Sequence, residues 1–139
     1  MITAEELNQM GYEYYSAEDE PKPLSENNPL WMVREFSRIT QQMPNPALYA
    51  ALIAEEHGEW HSEYLQDTTT EQLKELADLV YVTYGYALAK GWDLTEAVYR
   101  VHKNNIGRCI QPDGSIKRRE DGKIMKNPNY PKVDLNDLV

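Results

Sequence analysis

The apolar residues of this chain fall into four helical stretches separated by short polar breaks. In "PLWMVREFSRITQQM", Trp31, Val33, Phe36 and Ile39 recur at roughly helical intervals, and the "PNP" at Pro44 to Pro46 stops the run. A second helix is predicted from about Ala47 to Gln66 and a third from about Glu71 to Lys90. Between them "DTTTEQ" reads as a turn, with Thr69 or Thr70 as the N-cap. Gly91 sits where a helix-ending glycine belongs. Asp93 and Glu96 form a D-x-x-E capping signal for a fourth helix that reaches about Gly107. After Arg108 the pattern gives way to "QPDGSIKRREDGKIMKNPNYPKVDL", whose Asp-Gly pairs at Asp113 and Asp121 predict an irregular tail or a small hairpin. The expected organisation is an acidic segment and linker over 1–29, with a short helix around Ala4 to Met10, a helical domain over 30–108 and a basic tail over 109–139. The fold class is all-α and four-helix-bundle-like, with the tail packed on the domain or on a partner subunit.

Acidic residues interrupt the apolar faces. At about 100° per residue, Glu56 and Glu59 share an arc of the second helix with Tyr49, Leu52, Ile53 and Trp60, and Glu55 sits at its edge. The third helix repeats this. "LADLVYVTYGYALA" carries a single charge, Asp78, and Glu75 and Asp78 share an arc with Leu79, Val82, Tyr86 and Ala89. Any one of these acids reads as an ordinary solvated charge, and Lys74 is placed to pair with Asp78 at i, i+4. Two i, i+3 acidic pairs on the apolar faces of successive helices are harder to explain that way. Buried carboxylates cost several kcal/mol each unless compensated, and four together repel. A hard divalent cation resolves the conflict, and all-oxygen ligands suit Mg²⁺ or Mn²⁺. His57 and His61 are close in sequence, but no cysteine or third histidine lies within zinc spacing.

The fourth helix carries a stripe of Leu94, Ala97, Val98 and Val101, which continues into Asn105 and Arg108, while Lys103 points the other way. Two readings stay open. The first is a helix end whose basic residues complement the dipole. The second, beside a metal site, is an amide and a guanidinium that hold phosphate.

Composition narrows the classes. The chain has 139 residues, 41% of them hydrophobic, enough for one domain with a core. Ten tyrosines and three tryptophans against one phenylalanine make its aromatics amphipathic. A formal net charge of -9 argues against nucleic acid or membrane partners and permits cation sites. Cys109 is the only cysteine, so no internal disulfide forms, which fits a reducing cytoplasm. "MITAEELNQM" is acidic and has no long apolar run, so neither a signal peptide nor a membrane span is expected. The third helix is apolar nearly all round, with Leu76, Val80, Tyr81, Tyr84 and Leu88 away from the acidic face, which points to an oligomer.

E-E-x-x-E at Glu55, Glu56 and Glu59, fifteen residues, then E-x-x-D at Glu75 and Asp78 resembles the all-α nucleoside triphosphate pyrophosphohydrolases of the MazG type. "VHKNNIGR" is similar to the family's basic, Asn-containing fourth helix, and "REFSRITQQMPNP" with the tail resembles small stand-alone members, many of them phage-borne. The resemblance covers about Val33 to Leu135. It implies Mg²⁺-dependent cleavage of a (d)NTP to monophosphate and pyrophosphate, by a helical bundle that works as a homodimer or dimer of dimers. The location implied is the cytoplasm, that of a bacterial host if the gene is phage-borne. It implies metal ligands at Glu56, Glu59, Glu75 and Asp78. Glu59 or Glu55 would orient the attacking water, and Asn105, Arg108 and Lys103 or tail lysines would hold phosphates. Phe36, Trp60 and Tyr86 are candidates for the base or for the core, and a purine such as dGTP suits large aromatic side chains. Gly58 departs from the pattern and suggests close packing or a distortion there. Two other classes compete: a catalytically silent, metal-braced interaction module, and an acidic partner-binding protein that mimics nucleic acid.

Overall fold

Two of the helices begin where the chain offers an asparagine followed by proline. The computed structural model describes residues 27–139; the acidic segment and the helix expected around Ala4 to Met10 lie almost wholly outside them. Helix α1 spans Pro29–Thr40, α2 Pro46–Leu65, α3 Thr70–Lys90 and α4 Leu94–Arg108, followed by a 3₁₀ turn at Asn136–Leu138. Asn28 accepts a hydrogen bond from the Leu30 amide at 2.9 Å and Asn45 one from the Leu48 amide at 3.2 Å. Pro29 and Pro46 then occupy the first helical position, where a missing N–H costs nothing. "PNP" therefore starts α2. Helix α1 has already ended at Thr40, with Gln41 turning left-handed (φ 55°). Asp93 caps α4 through the Glu96 amide at 3.0 Å, but the Glu96 carboxylate goes on to Arg100, leaving the capping box half made. Thr69 takes the N-cap position of α3 without a capping side-chain bond. At the other end Gly91 closes α3 with φ 72°, as its position predicts.

Helices α1 and α2 both pack on α3. The buried face of α1 is Leu30, Val33, Arg34 and Ser37, spaced i, i+3, i+4 and i+7. This differs from the stripe the apolar residues suggested: Ile39 is 65% exposed and Phe36 43%. The register was hidden because half of the buried face is polar, and Ser37 is used to hydrogen-bond Tyr49 of α2. Tyr49 in turn lies directly on Gly85 of α3, where a Cβ would overlap its ring. Glycine is required here by close approach, and this contact sets how near α2 comes to α3.

The chain divides into two compact units, one ending at Trp92 and the other covering Asp93–Val139. Helix α4 thus groups with the tail. Arg100 holds both carboxylate oxygens of Asp137 (2.6 and 2.9 Å), Asn104 donates to the Pro131 carbonyl at 2.9 Å, and the Asn127 amide donates to the Arg108 carbonyl at 2.7 Å. The Asp-Gly turns form as expected, with Gly114 at φ 82° and Gly122 at φ 90°. The second turn lies within one isolated antiparallel bridge, Arg118 with Ile124, and no strand is present among the described residues. The all-α expectation holds. No helix among the described residues is long and apolar enough to cross a membrane.

Candidate metal centre

Because residue 49 of α2 meets residue 85 of α3, and Glu56 meets Glu75 and Asp78, the two helices run antiparallel. That pairing brings three carboxylates from two helices to one point. Glu56, Glu75 and Asp78 each offer an oxygen, and these atoms all lie within 4.8 Å of one another. Oε2 of Glu56 and Oε2 of Glu75 are buried with no hydrogen-bond partner. An ionised oxygen in that state is costly unless a cation takes it. The Glu56 carboxyl is pushed up to about 7, first by burial, then by the neighbouring Glu59 and by the charges of Asp78 and Glu75. Three hard oxygen donors, two of them with an orphaned buried oxygen, fit a hard divalent cation.

The other acids of "LIAEEHGEWHSEYL" separate by role. Glu59 stays outside the trio, exposed, with its carboxyl in side-chain contact with that of Glu56. Glu55 is exposed and outside the trio. Glu63 accepts the Thr68 hydroxyl at 2.8 Å and so braces the α2–α3 turn. Lys74 pairs with Asp78 at 2.6 Å and with Glu75 at 3.3 Å. The i, i+4 pair was visible in the sequence; its place at the edge of the carboxylate centre was not. Gly58 has open space where its Cβ would be, so the close packing suggested there is found at Gly85 instead.

A family model described as phosphoribosyl-ATP pyrophosphohydrolase matches residues 34–105. That is more than half of the chain, and it takes in all three carboxylates of the centre. The chain belongs to this family. It is a nucleotide pyrophosphohydrolase, a hydrolase acting on acid anhydrides, within the MazG-like all-α superfamily. A search of curated proteins gives no match.

The remaining candidate residues of the pyrophosphohydrolase are placed as follows. Asn105, Lys103 and Arg108 lie on α4, in the second compact unit. Asn105 is exposed, and Lys103 lies 5.5 Å from the centroid of the Tyr99 ring. Arg108 is partly buried, donates to the Asn104 side chain at 3.4 Å, and keeps a buried Nε with no hydrogen-bond partner. The three aromatic candidates sit in three different ring contacts. Phe36 meets Tyr81 edge-on, Trp60 stacks on Tyr64, and Tyr86 meets Trp92 edge-on.

Proposed function

We propose that the protein is a Mg²⁺-dependent nucleoside triphosphate pyrophosphohydrolase that splits a purine (d)NTP, dGTP as first choice, into monophosphate and pyrophosphate. The observation that carries this is the trio of Glu56, Glu75 and Asp78 with two orphaned buried oxygens. These residues would hold the ion, with Mn²⁺ able to substitute. Bound there, it supplies charge neutralisation for the triphosphate and a more acidic water. Glu59, exposed beside Glu56, would orient and deprotonate a water that attacks between the α and β phosphates; Glu55 is the second candidate. Arg108, Asn105 and Lys103 bring donors and positive charge suited to phosphate oxygens. The family match favours a second substrate, phosphoribosyl-ATP, which is cleaved at the same kind of bond.

The working form in this proposal is a homodimer or dimer of dimers. Leu73, Leu76 and Val80 form an apolar stripe on α3 that is 69%, 44% and 43% exposed, the kind of patch a second copy covers. One experiment tests the function: pyrophosphate release from a panel of nucleotides that includes phosphoribosyl-ATP, with Mg²⁺ and with EDTA. Release that continues unchanged in EDTA removes the metal from the reading. No release from any nucleotide favours the silent module. Light scattering at micromolar concentration tests the oligomer, and a monomer would count against it.

A further inference from the structure

We propose that Lys74 is an exchangeable counter-ion of the carboxylate centre. Without metal its ammonium holds Asp78 and Glu75, and with metal it turns to the phosphates of the nucleotide. The proposal rests on the trio being the metal site. Its own observation is the pairing pattern. Lys74 Nζ reaches Oδ2 of Asp78 at 2.6 Å and Oε1 of Glu75 at 3.3 Å, while Oε2 of Glu75 and Oε2 of Glu56 have no partner. The lysine therefore neutralises the accessible oxygens and leaves the buried ones unmet.

A divalent ion drawn to the three carboxylates competes with the lysine for the charge of Asp78 and Glu75. The exchange is easy. Lys74 is 64% exposed, so its ion pairs are solvated and weak. Its long flexible stem lets the ammonium move several ångströms without disturbing the helix. Once displaced, it is a mobile cation one helical turn from the centre, and a polyphosphate is the densest negative charge that arrives there. Lysine is a regular point-charge partner of phosphate.

The two halves of the exchange predict opposite effects of one substitution. Free Mn²⁺, read by its paramagnetic resonance signal, is titrated with wild type, Lys74→Met and Lys74→Arg. Inorganic pyrophosphate is then titrated into each Mn²⁺-loaded protein by calorimetry. Lys74→Met should bind Mn²⁺ about two- to tenfold tighter, since no ion pair must be broken. Its loaded form should bind pyrophosphate about tenfold more weakly, since a charge-assisted contact is gone. Lys74→Arg, which keeps the charge, should move both back toward wild type. A merely structural lysine would shift both affinities in the same direction, which overturns the proposal. So does Mn²⁺ affinity that is unchanged or weaker in Lys74→Met, or pyrophosphate affinity that is unchanged. If wild type itself binds no Mn²⁺, the metal reading of the trio fails and this exchange fails with it.

Discussion

Helices α2 and α3 meet twice, in two opposite ways. Glu56 lies seven residues after Tyr49, and Asp78 seven before Gly85, about two turns along each helix. The same faces therefore make both contacts. At one end an absent side chain lets the Tyr49 ring lie on the bare backbone of Gly85, and the phenol is buried and hydrogen-bonded to Ser37. At the other end three carboxylates converge and two of their oxygens stay unsatisfied. The closed end holds the helices together. At the open end the carboxylates repel one another. Activity and stability should thus respond to different ends of one helix pair, and each expected result below breaks or sharpens that division.

The largest effect belongs to the open end. Asp78→Asn keeps the shape and removes one of three charges from the centre. Turnover should fall by orders of magnitude, because the ligand set that would place the ion is broken. The loss should appear in kcat, with the fold retained by circular dichroism. Wild-type turnover in Asp78→Asn would make Asp78 a structural residue.

Next comes the closed end. Gly85→Ala should destabilise by about 2 kcal/mol, within the range for overpacking a tight contact and despite the better helix propensity of alanine. The Tyr49 ring has no room to retreat, since it is 5% exposed and tied to Ser37. Adding Tyr49→Leu should recover part of the loss, which a double-mutant cycle in urea measures. If Gly85→Ala is neutral, the ring can move and the contact does not set the helix spacing.

Where the charge crowding sits could not be read from the sequence. Asp78 is the lone charge of a neutral run, yet Lys74 offsets its charge and burial falls on Glu56. Helix phase correctly placed Glu56, Glu75 and Asp78 on facing sides, because at a 3.6-residue period the facing arcs of two adjacent helices follow from the sequence. It grouped Glu59 with them, and an arc alone cannot say that a side chain one turn along ends in solvent. The face of α1 was misread for a related reason: Arg34 and Ser37 are buried, and a polar side chain masks burial when, like Ser37, it hydrogen-bonds another helix. No periodicity could locate the Tyr49–Gly85 contact, since it depends on the depth to which one particular ring descends.

A smaller effect follows from Glu56. Its carboxyl, raised to about 7 from 4.5, holds its proton in the folded chain over a range in which the unfolded chain has lost it. Metal-free stability should therefore fall as pH rises from 4.5 to 7, stay low above 7 and carry no such cost below 4.5. Glu56→Gln removes that slope. In EDTA at pH 8 it should be more stable than wild type by on the order of 1 kcal/mol after allowance for partial exposure, with the gain vanishing at pH 4. Melting curves at several pH values decide this, and a gain that does not depend on pH would assign it to packing. With Mg²⁺ the order should reverse, since only wild type keeps the full set of ligands.

The smallest effect belongs to the helix turn just beyond the open end. Gly58 lies at the open end of α2, two residues beyond Glu56, and a Cβ there meets nothing within 4 Å. A glycine inside an exposed helix turn costs backbone entropy and contributes no contact. Gly58→Ala should therefore stabilise by about 0.5–1 kcal/mol, the opposite of Gly85→Ala, although both make the same chemical change in a helix interior. If the helix pair is rigid from one end to the other, the added stability should leave pyrophosphate release unchanged. If the carboxylates need α2 to flex near Gly58 in order to close on the ion, Gly58→Ala will gain stability and lose turnover together. Melting temperature and kcat measured on the same preparation separate these outcomes. A loss of stability would mean that the helix at residue 58 does not accommodate a side chain, against the open space seen there.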